Sequence, residues 1–151
     1  MKKLVKGIIL SILVVASNTS ALAAEKATKE EAVALVKKAV TYIQVNGREK
    51  AFVEFNKPTG QFHDRELYII VLDTNGVALA HPNSRIVGKS LLNVKDVDGR
   101  SPVVDYISVA NQRGGGWIDY KWPNPASGKI ESKSTYVEKV NDFIIGCGIY
   151  K

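Results

Sequence analysis

The hydrophobic positions of this chain keep three different rhythms, and each predicts a different kind of element. Between Thr28 and Val45, the residues Ala32, Val33, Val36, Ala39, Val40 and Ile43 recur every three or four positions, the spacing of one helical face. Thr28-Lys29-Glu30-Glu31 ahead of them is a capping box: the Thr28 hydroxyl accepts from the Glu31 amide while the Glu31 carboxylate reaches back. Asn46-Gly47 supplies the stop. An amphipathic helix over 29–45 follows, and Arg48 to Phe55 reads as a shorter helical segment halted before Pro58.

The second rhythm is continuous rather than periodic. Leu67-Tyr68-Ile69-Ile70-Val71-Leu72 is rich in β-branched and aromatic residues and predicts a buried strand. Asp73-Thr74-Asn75-Gly76 is a turn, its Asp and Asn side chains suited to capping the hairpin's own amides, and Val77 to Ala80 returns as a second strand. A polar, irregular stretch runs from His81 to Arg100, punctuated by Pro82, Gly88 and Gly99. Ser101-Pro102 then opens a helix over 103–112, on which Val103, Ile107 and Ala110 share a face.

The third rhythm is a two-residue alternation after Gly114-Gly115-Gly116. It puts Trp117, Asp119 and Lys121 on one side of a strand, and Ile118, Tyr120 and Trp122 on the other. Pro123 to Gly128 is a loop, Lys129 to Val140 alternates again, and Phe143 to Tyr150 is a last apolar strand. Helix, hairpin, helix and three strands at hairpin spacing predict an α+β domain: a long N-terminal helix packed on an antiparallel sheet of about five strands.

Residues 1–23 stand apart from these rhythms. Lys2, Lys3 and Lys6 form a basic start, Gly7 to Ala16 is an apolar run of ten residues, and Ala21-Leu22-Ala23 is a small-x-small site. That order predicts a secretory signal peptide over 1–23 and a mature domain over 24–151, exported to a bacterial periplasm. The apolar run is too short for a comfortable membrane span. Removing it takes away three lysines and no acid, so the formal charge of +6 falls by three to +3. With no basic run longer than Lys37-Lys38 remaining, nucleic acid is excluded as a partner. At 45% hydrophobic and 24% charged, the chain is too apolar to be disordered. Cys147 is a lone cysteine in an apolar strand; it reads as a small buried hydrophobe, with a reactive thiol or an intermolecular disulfide as the other readings.

One succession of residues resembles a known family. Leu67-Tyr68, Asp73-Thr74-Asn75-Gly76, Ala80-His81-Pro82, Gly88-Lys89-Ser90-Leu91 and Asp96-Val97-Asp98-Gly99 are followed by Gly116-Trp117-Ile118-Asp119-Tyr120-Lys121-Trp122-Pro123. Lys133-Ser134-Thr135-Tyr136-Val137 and Ile145-Gly146-Cys147-Gly148-Ile149-Tyr150 complete the series. Together, and in this order, they resemble the single Cache domain, second subfamily (sCache_2), from about Thr28 to the last residue. The resemblance implies a PAS-like extracytoplasmic sensor fold whose sheet cups a small ligand, mostly short-chain carboxylates and related metabolites. Such domains normally sit between the membrane helices of chemoreceptors, histidine kinases or cyclases. With the chain ending at Lys151, the expectation is a free-standing secreted form, not integral to the membrane after signal cleavage, whose state is read by a separate membrane-bound partner. Homodimerisation is left open.

The resemblance places Tyr68, His81, Trp117, Tyr120, Trp122, Lys133 and Tyr136 near the cavity. Chemistry agrees in kind, because a pocket for a small organic anion needs a cation, a few neutral donors and apolar or aromatic walls. Lys133 would be the charge partner of a carboxylate, His81 and Tyr136 would donate hydrogen bonds, and Trp117, Tyr120 and Trp122 would set the size. Strand alternation opposes using all of them, since Trp117 and Tyr120 face opposite sides unless a bulge intervenes. Each residue also has a plainer reading: the aromatics as packing, Lys133 as a solvated charge on an edge strand, His81 as a turn residue satisfied by backbone. An amine or amino-acid ligand is left open, because Asp119 and several hydroxyls could serve one.

Two further readings stay beside ligand binding. One is a periplasmic docking protein for a membrane kinase, chemoreceptor or transporter, without a metabolite ligand. The other is a small hydrolase, opposed by the sequence: His63 and His81 are the only imidazoles, and no H-E-x-x-H, G-x-S-x-G or strand-to-helix phosphate loop is present. No enzyme activity and no cofactor are expected. Asp96, Asp98 and Gly99 begin a calcium-like loop that the remaining acids do not complete, so no metal is expected either.

Overall fold

The computed structural model describes residues 25–151; the signal peptide expected over 1–23 lies outside them. Helix α1 (Lys29–Asn46) begins at the capping box, with Thr28 Oγ1 accepting from the Glu31 amide at 3.2 Å and a Glu31 carboxylate oxygen accepting from the Thr28 amide at 2.7 Å. It turns at Gly47 into α2 (Arg48–Phe55). The first strands are β1 (His63–Asp64), β2 (Leu67–Asp73) and β3 (Ala78–Ala80). Asp73 closes the turn between the last two by accepting the Asn75 and Val77 amides at 2.9 and 2.8 Å. Helix α3 (Pro102–Arg113) precedes a meander of β4 (Gly115–Asn124), β5 (Lys129–Val140) and β6 (Phe143–Tyr150).

The sheet is antiparallel, in the order β1-β2-β6-β5-β4, with β3 also paired to β2. It has six strands rather than about five. The additional one is the two-residue β1, where His63 pairs with Tyr68 and Asp64 with Leu67; only its partner makes it a strand. Gly115 and Gly116 join β4, although the sequence places them before it. At Gly115 a Cβ would stand 2.5 Å from the Val137 carbonyl oxygen, so close strand approach is what needs the glycine.

Both faces of the sheet are covered. Ala32, Val36 and Ala39 of α1, with Phe55 of α2, pack on Leu67, Ile69, Val71, Ile145, Cys147 and Ile149. On the other face Val103, Tyr106 and Ala110 of α3 meet Leu72, Ile118, Val137 and Ile144. Central β6 is buried along its whole length. A strand covered on both faces has no reason to alternate, which is why Phe143 to Tyr150 is almost continuously apolar. Cys147 is among the buried residues of the α1 face, and burial pushes its thiol up to about 12, so it remains protonated and inert at neutral pH.

Candidate functional site

On the α3 face the sheet and the 81–101 segment do not close completely. They leave a cavity of about 160 Å³. Its floor is the sheet, with Tyr68 and Ile70 from β2, Tyr120 and Trp122 from β4, Lys133 and Thr135 from β5, and Gly148 from β6. Val103 and Tyr106 of α3 form one wall, while His81, Ile86, Leu91 and Val94 of the irregular segment form the lid side. A wider cleft of about 510 Å³ shares Tyr68 with the cavity. Three of its polar groups are already engaged: Lys26 Nζ donates to the Lys151 carbonyl, Arg65 pairs with Asp64 and Glu31, and Glu66 accepts the Ala27 amide.

Lys133 is the unusual group in the smaller space. It is only 3% exposed, on an inner strand between β4 and β6 rather than at a sheet edge. Its Nζ donates to the Tyr68 hydroxyl at 3.1 Å and to the Tyr150 hydroxyl at 3.4 Å, and lies 4.9 and 4.6 Å from the centroids of those rings. The rings solvate the ammonium partially, as cation–π contacts do. Among the described residues no ion pair includes Lys133, and no Asp or Glu lines the cavity. A buried ammonium without an anion is costly to hold.

The hydrogen-bond accounting of the cavity is one-sided. Lys133 has three N–H groups and spends two. Tyr68 accepts from Lys133, and its own proton finds no acceptor among the described residues. Tyr106 donates to the Tyr120 hydroxyl at 2.6 Å, and Tyr120 shares a 2.9 Å hydrogen bond with Thr135. Three hydroxyls and two bonds leave one proton unspent. His81 Nδ1 accepts the Asn83 amide at 2.8 Å, so the neutral ring carries its proton on Nε2, where it has no partner among the described residues. The His81 backbone is held separately, by its amide donating to Asn56 Oδ1 at 2.8 Å. Donors are in excess, and what the cavity lacks is an acceptor.

Burial keeps these groups in their donor forms. The Tyr68 phenol is pushed up to about 12, and Tyr106 and Tyr120 are raised by the same cause. Burial, then the charge of Lys133, pulls the His81 imidazole down to about 4. An unfolded histidine titrates near 6.5, so the unfolded chain takes up this proton first as pH falls. The stability contributed by neutral His81 is complete above about pH 6.5 and is lost progressively towards pH 4. A proton NMR titration, with the ring assigned by His81→Asn, should give a midpoint near 4. A midpoint near the unfolded value would mean a solvated ring facing away from the cavity.

The whole chain, residues 1–151, matches the family described as Single Cache domain 2, sCache_2. The chain belongs to this family. Curated relatives of this Cache domain include the methyl-accepting chemotaxis protein McpP of Pseudomonas putida, 28% identical over 91 residues, and the sensor histidine kinase MctS of Rhizobium johnstonii, 30% identical over 91 residues. Each match takes in 58% of this chain but only 17% and 20% of the respective relative, so the chain spans at most about a fifth of their length. Among solved structures, a methyl-accepting chemotaxis protein from Vibrio parahaemolyticus superposes with a TM-score of 0.69 at 24% identity, covering 81% of this chain and 87% of that one. A Cache chemosensory domain studied for carboxylic acid recognition gives 0.67 at 23% identity, covering 80% and 91%. These likenesses show the Cache fold, and the family is one of sensory domains of chemoreceptors and kinases. Among the described residues no helix is long and apolar enough to cross a membrane.

Of the seven residues expected near the Cache cavity, Tyr68, His81, Tyr120, Trp122 and Lys133 line it. Trp117 and Tyr136 do not. They are register partners on β4 and β5 whose rings, 5.5 Å apart, pack on the α1 face; Lys29 Nζ lies 4.8 Å over the Trp117 ring, and the Tyr136 hydroxyl donates to Glu138. The β4–β5 register runs without a bulge, so nothing reverses the alternation. Tyr106, Thr135, Ile86, Leu91, Val94 and Gly148 line the cavity without having been expected there. Parity along β5 points to Thr135, which shares a side with Lys133, and equally turns Tyr136 away. The Asp96 loop uses its carboxylate internally: one oxygen accepts the Asp98 and Arg100 amides at 3.0 and 2.8 Å, while Asp98 pairs with Lys121. Among the described residues no group of three or more His, Cys, Asp or Glu side chains is placed to hold a metal.

Proposed function

We propose that this Cache domain binds a short-chain carboxylate in the 160 Å³ cavity, performs no chemistry on it, and passes its state to a membrane-bound signalling partner outside the cytoplasm. The observation that carries this reading is buried Lys133, which lacks an acidic partner among the described residues and is surrounded by unspent donors. A carboxylate supplies the missing acceptors and the missing charge in a water-poor site, where charge-assisted hydrogen bonds are strong. The Cache chemosensory domain solved for carboxylic acid recognition has the same fold, which supports the ligand class. Its sensory relatives support the partner class.

Cavity size limits the acid. An apolar cavity of about 150 Å³ is known to accept benzene, so the present one has room for roughly six non-hydrogen atoms. Acetate, propionate, butyrate, lactate and pyruvate are within this limit, and fatty acids longer than butyrate are not. A thermal-shift screen of residues 24–151 with these acids, amino acids and purines tests the reading. A ligand of the folded state at a hundredfold excess over its dissociation constant stabilises by roughly 2.7 kcal/mol. One or more short acids should raise the melting temperature, while their isosteric amides should not. Equal shifts with acid and amide, or none with any acid, would remove the carboxylate reading.

A further inference from the structure

We propose that Gly148 is the positioning residue of the cavity, the gap in the sheet through which Lys133 reaches its binding position; this rests on the reading of Lys133 as the carboxylate partner. Lys133 stands on β5 and Tyr68 on β2, with β6 between them. Two strand spacings are roughly 9.5 Å, so the lysine stem must lie across the face of β6 to bring its ammonium to the Tyr68 hydroxyl. At the crossing the register pairs Thr135 with Gly148 and Lys133 with Tyr150. A Cβ built on Gly148 would stand 2.6 Å from Lys133 Cε, 2.6 Å from Thr135 Oγ1 and 3.6 Å from Lys133 Nζ. No real side chain tolerates the first two distances, so any other residue here displaces the lysine stem, the threonine hydroxyl, or both.

The backbone gives no competing reason for glycine. Gly148 is absent from the positive-φ positions of the chain, and its extended conformation suits any residue. Glycine within a strand interior costs stability relative to alanine and contributes nothing to packing. Gly146, two residues earlier on the same face, is a natural control. Its Cβ would meet the Tyr136 carbonyl at 3.0 Å and Val137 Cγ1 at 3.1 Å, but neither Lys133 nor Thr135. Space at 146 serves packing, whereas space at 148 serves the two polar groups that face the ligand.

The test uses residues 24–151, a lysine NMR signal and propionate with its isosteric amide as probes. Because Lys133 Nζ lies between two tyrosine rings, its ε-protons should be ring-current shifted upfield, a signal assigned by its loss in Lys133→Met. In Gly148→Ala that signal should move to the ordinary lysine position, propionate affinity should fall at least about tenfold, and the preference for propionate over propionamide should shrink. Gly146→Ala should keep the shifted signal. If Gly148→Ala retains both signal and affinity, or loses the signal while affinity is unchanged, the positioning role is overturned. If the wild type binds no acid but the signal still collapses in Gly148→Ala, the carboxylate reading falls and the placement of Lys133 by Gly148 stands. Should Gly148→Ala not fold, Thr135→Ala/Gly148→Ala leaves only the lysine stem in the way of the new methyl, and the same signal decides.

Discussion

Lys133→Met should abolish acid binding, by at least about a hundredfold in affinity, and yet leave the protein as stable as the wild type or more so. The two effects share one cause. Methionine fills nearly the same volume as the lysine stem but carries no charge into the cavity. Without ligand, the partners of buried Lys133 among the described residues are the Tyr68 and Tyr150 hydroxyls and rings, and replacing a buried charge by an apolar residue of similar size is often neutral or stabilising. With ligand, the same substitution deprives a carboxylate of its counter-charge. Calorimetric titration with the best acid of the screen and a melting curve without ligand check both halves. Retained affinity would place the acid elsewhere. A lost binding signal together with a melting temperature lowered by many degrees would mean that Lys133 is a structural residue. The expected pattern is a trade of stability for function at one residue.

The second large effect lies away from the ligand. Phe55→Ala should cost about 3–5 kcal/mol of unfolding free energy, a large share of the 5–15 kcal/mol typical of a domain. Phe55 is 2% exposed and meets Phe62 edge-on at 4.7 Å, with Tyr42 and Phe52 also close. Removing its ring empties the seam where α2 joins α1 and the sheet. The damage should also reach the site. Asn56, the next residue, accepts the His81 amide, so a loosened α2 frees the segment that carries the imidazole. Urea denaturation should show a lower midpoint with unchanged slope, and acid affinity should weaken at concentrations of urea that leave the protein folded. A cost below about 1 kcal/mol would mean that the seam collapses around the lost ring.

Local patterns carried most of the fold. The capping box named the start of α1, alternation named the two sides of β4, and the continuous apolar run of β6 announced a strand, whose burial on both faces only the packing showed. What local patterns lacked was the partner. His63 and Asp64 become a strand only because Tyr68 and Leu67 lie opposite. At the site, alternation was the better guide wherever it disagreed with the family resemblance: it put Trp117 opposite Tyr120, and the structure does the same. Applied to β5, it would also have paired Thr135 with Lys133 and turned Tyr136 away. Tyr106, Ile86, Leu91 and Val94 were out of reach of such reasoning. They come to the cavity through the docking of α3 and the path of an irregular segment, and neither leaves a periodic trace in sequence.

The burial of β6 at the centre of the sheet has a kinetic consequence. Ile69 and Cys147 are partners across β2 and β6, yet most of the described chain lies between them. Closing so long a loop must precede the reward of the contacts it makes, and chains dominated by such distant pairings fold slowly. The β4–β5–β6 meander can form locally, but Tyr68 meets Lys133 only after β6 has docked beside β2. A refolding chain should therefore regain helical signal well before it regains the ability to hold an acid, which makes ligand capture a clock for the last long-range step.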